Sequence, residues 1–149
     1  MGLETERKFL VKGDFSGEVT GRTEILQAYL VADNRRTVRL RISGEEAYLT
    51  IKGRAPEGSI SRGEWEYRIP GQDALEMLPL CMPGRIYKTR YIVPSGDHIF
   101  EVDVFHDKNE GLIIAEIELK SEDETFIRPS WLGKEVTGNP AYYNANLVK

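Results

Sequence analysis

Seven segments of this sequence alternate between polar and apolar residues with a period of two. In "TVRLRIS", Arg39 and Arg41 share one parity, whereas Val38, Leu40 and Ile42 share the other. A β-strand directs successive side chains to opposite faces, so each segment is predicted to be a strand with one charged and one apolar face. The other six segments are "LETERKFLV", "AYLTIKG", "GEWEYRI", "YKTRYIV", "FEVDVF" and "IIAEIEL".

An eighth segment, "ILQAYLV", shows a quieter alternation that places Gln27 and Tyr29 on one face. The intervening stretches are rich in Gly, Pro, Asn and Asp, which favours antiparallel hairpins. We expect loops at "VADNRR", "SGEE", "RAPEGSISRG", "PSGD" and "HDKNEG". Helix is predicted for "GQDALEMLPL" and for two short pieces of the tail, around residues 131–134 and after Pro140. Without a repeat or a linker, residues 1–149 are expected to form one domain.

The charges on these strands are segregated by sign, strand by strand. Like charges two residues apart on a strand face lie ~7 Å apart and repel each other unless an opposite charge lies among them. A solubilising surface usually mixes the two signs. The acids on the charged face are Glu4, Glu6, Glu64, Glu66, Glu101, Asp103, Glu116 and Glu118, and the bases are Lys8, Arg39, Arg41, Lys52, Arg68, Lys88 and Arg90.

This near balance of charge favours a face that curls inward and neutralises itself. Eight strands can close into a barrel whose interior takes one face of every strand. We therefore expect a mainly β fold of the α+β type, an eight-stranded antiparallel barrel that forms a charged tunnel, with a few short helices packed outside. Acidic strands suit a divalent cation and basic strands suit a polyanion. A half-exposed antiparallel sheet with a wet outer face is the alternative that the pattern leaves open.

Composition excludes several classes of function. The net charge of −4 argues against a general nucleic-acid binder. Cys81 is the single cysteine, so no internal disulfide can form. No stretch approaches the ~20 apolar residues of a membrane span, and charges follow the first residues at once, so we expect a cytoplasmic protein. The phosphate-loop and nucleophile-elbow motifs are missing from the sequence, as is a His-x-x-x-His pair.

The opening Glu-x-Glu-x-Lys at residues 4–8 resembles the signature of the CYTH superfamily, also called triphosphate tunnel metalloenzymes. The resemblance continues in the family's order to residue 147. It is carried by "VRLRIS" and "LTIKG" as basic strands, "SRGEWEYRI" as an Arg-x-Glu-x-Glu strand, "YKTRY" as a Lys-x-Arg strand, "FEVDVF" and "AEIEL" as acidic strands, and "LGKEVTGNPAYYNANL" as the closing segment of the short bacterial members. It implies a tunnel barrel, a triphosphate substrate, and Mg²⁺ or Mn²⁺ as cofactor.

The resemblance also implies a role for each residue of the charged face. The implied metal ligands are Glu4, Glu6, Asp103, Glu116 and Glu118. The implied phosphate-binding residues are Lys8, Arg39, Arg41, Lys52 and Arg90. Glu64, Glu66 and Glu101 are expected to be supporting acids of the tunnel that hold the arginines, and Arg62 is expected near an entrance.

Lys88 and Tyr29 form the implied catalytic pair. A lysine has an ordinary pKa of ~10.4 and is a poor base near neutrality. Because other cations such as Arg90 are expected nearby, the pKa of Lys88 should fall, so that it could accept a proton from water. Tyr29 would hold the lysine by a hydrogen bond.

The expected reaction is hydrolysis of the terminal phosphoanhydride of a triphosphate, because the chain is most similar to the short bacterial inorganic triphosphatases. Three alternatives remain open: a class IV adenylate cyclase, a thiamine triphosphatase, and a polyphosphate-binding module without activity. The last is disfavoured because Lys88 and the acidic pairs are present.

Trp65 and Tyr67 on the outer face are expected to pack under helices or at a dimer contact, so the protein is predicted to be a monomer or a homodimer.

Overall fold

The computed structural model describes residues 2–149, and most of them lie in nine strands. The strands are β1 (Gly2–Val11), β2 (Gly21–Ala32), β3 (Arg36–Ser43), β4 (Glu46–Gly53), β5 (Ser61–Ile69), β6 (Ile86–Ser95), β7 (His98–Phe105), β8 (Ile113–Glu118) and β9 (Leu132–Glu135). The helices are α1 (Gly71–Met77) and α2 (Asn144–Leu147), and 3₁₀ turns occupy Ser16–Glu18, Leu78–Leu80, Asp107–Asn109 and Pro140–Tyr142. All eight predicted strands are present as β1 to β8.

These eight strands close into an antiparallel barrel. Their order is β5-β4-β3-β2-β6-β7-β8-β1, and a further pairing between β5 and β1 joins the two ends. Strand β1 makes this closure because Glu6 and Lys8 lie opposite Glu118 and Glu116 of β8, while residues 2–5 pair with β5 on the other edge. The predicted eight-stranded antiparallel barrel is therefore confirmed.

The ninth strand corrects the helical piece predicted around residues 131–134. Strand β9 pairs with the part of β1 that lies beyond β5, with Phe9 opposite Glu135 and Val11 opposite Leu132. An exposed strand edge leaves unsatisfied N–H and C=O groups, which β9 pairs here. Gly133 permits the close approach, since a Cβ at this position would lie 2.7 Å from the carbonyl oxygen of Leu10.

The apolar face of the barrel points outward and is covered mainly by loops. Phe9 and Phe100 pack in one buried cluster with Trp131, whose ring centroid lies 5.2 Å from that of Phe100. On the opposite wall, Ala74 of α1 covers Leu40. By contrast, Tyr67 is 56% exposed among the described residues, which corrects the helix-packing part of its prediction. The dimer contact stays a prediction.

The C-terminal segment packs against the inner wall at one end of the barrel. Tyr29, Ile86, Phe105 and Ile114 form a buried cluster with Val148 there. Asn109 holds the segment in place because its amide donates to the carbonyl of Leu147 at 2.9 Å, and Lys108 donates to the carbonyl of Val148. The helical piece predicted after Pro140 is present as a 3₁₀ turn and α2. Among the described residues, no helix has the length and apolar character needed to span a bilayer.

The buried cluster of Phe9, Phe100 and Trp131 should contribute much of the folding stability. Phe100→Ala deletes a fully buried aromatic ring and is expected to lower the free energy of unfolding by about 3–5 kcal/mol. Urea denaturation measures this change. Tyr67→Ala, an aromatic deletion at an exposed site, is the matched control and should cost less than about 1 kcal/mol. Equal losses in the two variants would contradict the assignment of the core.

Candidate active site in the barrel interior

Cross-strand register brings the charged face of the sheet to the inside of the barrel. Residues directly opposite each other in an antiparallel pair point to the same side, and Arg90 lies opposite Asp103 just as Lys52 lies opposite Glu64. The charged side chains buried there are Glu4, Lys8, Arg39, Lys88, Asp103 and Glu116. Charged groups are rarely buried unless they are paired. The predicted site residues therefore share the inner face of the barrel, and Glu66, Glu101 and Glu118 are its more exposed members.

Asp103 is a fully buried acid of this interior that contacts two cations. Its Oδ2 lies 2.7 Å from Lys88 Nζ, and both side chains are 0% exposed. Arg90 donates to the same carboxylate twice, from Nε to Oδ1 at 2.8 Å and from Nη2 to Oδ2 at 2.9 Å. One buried carboxylate thus holds two cations in a fixed arrangement.

The position of Lys88 changes its acidity. Burial, together with the nearby charges of Arg90 and Arg41, lowers the pKa of its ammonium group to about 7, although Asp103 opposes the change. The amine also donates to Asn144 Oδ1 at 3.3 Å. A lysine with such a pKa can exchange protons near neutrality.

Tyr29 does not make the expected hydrogen bond in this structure. Within residues 2–149, the side-chain partners of Lys88 are Asp103 and Asn144, and Tyr29 packs in the apolar cluster with Val148. Its pairing with Lys88 stays a prediction. Lys8 also reaches the C-terminal segment, since its Nζ lies 3.4 Å from the carbonyl oxygen of Tyr142.

A second group of ion pairs surrounds Glu4. Lys52 Nζ donates to both of its carboxylate oxygens, at 3.0 and 2.9 Å, and Arg62 Nε donates to Oε1 at 3.2 Å. Lys52 also lies 3.5 Å from Glu64. Glu4, which was predicted to be a metal ligand, is thus paired with two cations in this structure.

The arginines of β3 have different partners from each other. Arg39 Nη2 lies 3.2 Å from Thr50 Oγ1 and 3.5 Å from Glu66 Oε2. Arg41 instead donates from Nε and Nη2 to Gln27 Oε1, at 3.1 and 3.0 Å. Two positive groups therefore lie side by side on this wall, and one of them has a neutral partner.

The sequence matches the CYTH domain over residues 2–148. This chain belongs to the CYTH-domain family. It is 45% identical over 150 residues to a protein named inorganic triphosphatase from Acetivibrio thermocellus, covering 100% of this chain and 95% of that relative. It is 38% identical over 150 residues to another of that name from Nitrosomonas europaea, covering 97% and 96% of the two chains. A crystal structure of an inorganic triphosphatase is similar with a TM-score of 0.69 at 35% identity, covering 99% of this chain and 95% of that one.

The acids of β1 and β8 in this CYTH barrel repel each other. Burial and the neighbouring Glu116 together raise the pKa of the Glu6 carboxyl to about 8. Burial alone would also raise the pKa of Glu116, but Lys8, Arg90 and Lys88 hold it well below its ordinary value. Burial and then Glu4 raise the pKa of Glu118.

This donor set fits a divalent metal by its chemistry. Hard divalent cations prefer carboxylate oxygens, and a cation would relieve the repulsion that raises the pKa of Glu6. Between residues 2 and 149, no three acidic, His or Cys side chains converge in metal-binding geometry. The fit therefore rests on the type and charge of the donors.

Two residues of the CYTH interior were given no role by the sequence analysis. Strand β5 begins at Ser61, so Arg62 lies on the strand that the resemblance implied for "SRGEWEYRI" and not in the predicted loop. Its place near an entrance stays a prediction. Gln27 shares the parity of Tyr29 but was given no role, and Asn144 lies in a tail without any periodic signal.

The ion pairs of Asp103 should dominate the local energetics. Asp103→Asn leaves Lys88 buried without a carboxylate and removes the doubly bonded partner of Arg90, so the free energy of unfolding should fall by about 3–5 kcal/mol. Because a negative neighbour is lost, the pKa of Lys88 should move further below about 7. Urea denaturation and NMR titration of the Lys88 side chain measure the two effects.

Glu46→Gln is the matched control for Asp103→Asn, because the pair of Glu46 and Arg68 is exposed, with an N–O distance of 3.9 Å. It should change stability by less than about 1 kcal/mol. An unchanged Lys88 titration in Asp103→Asn would show that the carboxylate does not control the lysine.

Proposed function

We propose that this CYTH protein is a divalent-metal-dependent hydrolase that cleaves the terminal phosphoanhydride of a triphosphate. The substrate proposed is inorganic triphosphate, which would give pyrophosphate and phosphate. The observation that carries the proposal is the enclosed interior in which buried cations of β3, β4 and β6 face acids of β1 and β8. The inorganic triphosphatases among its relatives support the choice of substrate.

The phosphate chain would be held by the cations of the interior, which are Lys8, Arg39, Arg41, Lys52 and Arg90. Arginine presents a planar fork that suits paired phosphate oxygens, whereas lysine acts as a point charge. Charge-assisted hydrogen bonds of this kind are short and strong in an enclosed site. The tunnel is therefore suited to a compact, highly charged anion.

Glu4, Glu6, Glu116 and Glu118 would hold the metal, which we propose to be Mg²⁺ or Mn²⁺. A bound metal of this type would neutralise part of the charge of the phosphate chain. Asp103 was first assigned to this set, but its two bonds from Arg90 and its contact with Lys88 favour a positioning role. Glu64, Glu66 and Glu101 would hold cations, as their contacts with Lys52, Arg39 and Arg90 support.

Lys88 would accept a proton from the attacking water. The water oxygen would bond to the terminal phosphorus, the bridging P–O bond would break, and its electron pair would leave with pyrophosphate. Asp103 and Asn144 would aim the lysine amine, because each contacts Nζ. Tyr29 remains a proposed partner of Lys88, and Tyr29→Phe tests it separately.

We further propose a cytoplasmic protein that acts as a monomer or homodimer without nucleic-acid or membrane partners. The net charge of −4 supports the lack of a nucleic-acid partner. The single cysteine supports a reducing compartment.

A substrate panel tests the proposal and its alternatives together. Phosphate release is measured from inorganic triphosphate, ATP and thiamine triphosphate, each with Mg²⁺ and Mn²⁺, beside an assay for cyclic AMP. We expect inorganic triphosphate to give the highest kcat/KM. Formation of cyclic AMP from ATP would favour an adenylate cyclase, and a preference for thiamine triphosphate would favour a thiamine triphosphatase. Binding without turnover would favour the polyphosphate-binding module.

Metal removal should abolish turnover. With excess EDTA and metal-free reagents, phosphate release from triphosphate should fall to background, because the acids of β1 and β8 can no longer be neutralised by a cation. Added Mg²⁺ or Mn²⁺ should restore it. Full turnover in excess chelator would contradict the metal assignment.

Lys88→Ala and Arg41→Ala should separate proton transfer from phosphate binding. Lys88→Ala should lower turnover with a modest change in affinity, since Lys88 interacts with the attacking water mainly in the transition state. Arg41→Ala should weaken binding roughly 10- to 150-fold, from ~1.5–3 kcal/mol for a charge-assisted hydrogen bond. Single-turnover kinetics and binding of an imidotriphosphate measure the two effects.

Arg68→Ala is the control for these variants, since Arg68 lies on the same strand face but is exposed at the rim. Circular dichroism checks that each variant is folded. If Lys88→Ala and Arg41→Ala lose affinity equally and bound substrate is cleaved at the normal rate, Lys88 binds phosphate and does not activate water.

A further inference from the structure

Gln27 is a fully buried amide on the inner wall of the barrel. It lies directly opposite Arg41 of β3 and is 0% exposed. Its Oε1 accepts two hydrogen bonds from Arg41, at 3.1 and 3.0 Å. Since a guanidinium group only donates, the oxygen of the amide must face Arg41 and the NH₂ group must point elsewhere.

The NH₂ group of Gln27 has no acceptor among the described residues. Buried polar atoms without a partner are rare in folded proteins, because each loses its hydrogen bonds to water without replacement. Arg39 Nε, on the same face of the neighbouring strand, is a second buried donor without an acceptor in this part of the chain. Two donors of one wall are thus left free for a ligand that accepts.

Arg41 lacks the carboxylate partner that several other cations of the interior have. Arg90, Lys52 and Arg39 each lie within 4.0 Å of a carboxylate, whereas no such pair involves Arg41 between residues 2 and 149. Burial, together with the nearby charges of Arg39 and Arg90, lowers the pKa of Arg41 to about 10. The positive charge here is therefore held in place without being neutralised.

We propose that Gln27 positions Arg41 through Oε1 and donates from Nε2 to a phosphoryl oxygen of the bound triphosphate. Together with Arg39 Nε, it forms an anion subsite on the wall made by β2 and β3. This inference rests on the proposed function and adds a residue to its substrate-binding set.

The amide suits this task better than a carboxylate would. A glutamate at position 27 would still accept from Arg41, but it would neutralise the guanidinium, offer no donor and repel phosphate. A glutamine therefore fixes the arginine and leaves its charge available for the substrate.

Two substitutions separate these contributions. Gln27→Glu keeps the acceptor for Arg41 but removes the donor and adds a negative charge, and Gln27→Met removes the donor and the acceptor at similar length. Titration calorimetry with an imidotriphosphate should show affinity at least about tenfold weaker for both, with the larger loss in Gln27→Glu. Because Gln27→Glu also neutralises Arg41, its loss of affinity shows that the positive charge of this wall is used, and the NH₂ resonances of the wild-type protein test the donation itself.

Gln72→Glu is the matched control, because Gln72 is the other glutamine of the chain and lies exposed on α1. It makes the same change of charge far from the inner wall and should leave affinity unchanged. Wild-type affinity in folded Gln27→Glu would overturn the inference.

A measurement on the wild-type protein does not depend on how the Gln27 variants fold. Side-chain ¹⁵N labelling of glutamine gives two NH₂ groups, and Gln72→Glu removes one of them and so assigns the other to Gln27. Saturation with the imidotriphosphate should shift the Gln27 NH₂ resonances and slow their exchange with water.

The outcomes separate the two proposals. Binding that leaves the Gln27 NH₂ resonances unmoved would overturn this inference while the proposed function stands. A shift of these resonances without hydrolysis of triphosphate would support the subsite and overturn the hydrolase. Absence of any binding to the wild-type protein would overturn both.

Discussion

The structure depends on the ion pairs that Asp103 makes with Lys88 and Arg90 inside the barrel. Burying charges is costly in free energy unless each one meets a partner with good geometry. Here the partners come from β6 and β7, and both Lys88 and Asp103 are completely enclosed. The register between these two strands is therefore fixed by charge as well as by the backbone ladder, because a slip of one residue would turn the charged face toward the apolar surroundings.

This charged interior inverts the usual arrangement of a small β protein. Since the polar side of each strand points inward, the apolar side points outward and must be covered by other parts of the chain. Loop residues such as Trp131 cover one wall, Ala74 of α1 covers another, and β9 occupies the free edge of β1. The C-terminal segment packs against the inner wall at one end. These covering segments are needed because the charged faces of the strands point inward and leave the apolar faces outside.

Charge within the interior is unevenly matched, and this gives the site its chemistry. Asp103 and Glu4 each satisfy two cations, Glu6 is repelled by neighbouring acids, and Arg41 has only a neutral amide. Excess negative charge on one side favours the binding of a cation, and excess positive charge on another favours the binding of an anion. The proposed triphosphate and its metal meet both requirements at once.

The sequence by itself determined which residues form β1 to β8 and which of their side chains share a face, because a period of two is a local property of the chain. It also determined the segregation of acids and bases, which favours a cation and a polyanion as ligands. Only the tertiary structure decided which acid meets which base, where Arg62 and Asn144 lie, and that Gln27 holds Arg41. Partners such as Glu4 and Arg62 are 58 residues apart, and they meet because barrel closure and strand register bring them to one level. Strand β9 was missed for the same reason, since its partner is an edge of β1 that exists only once the barrel has closed.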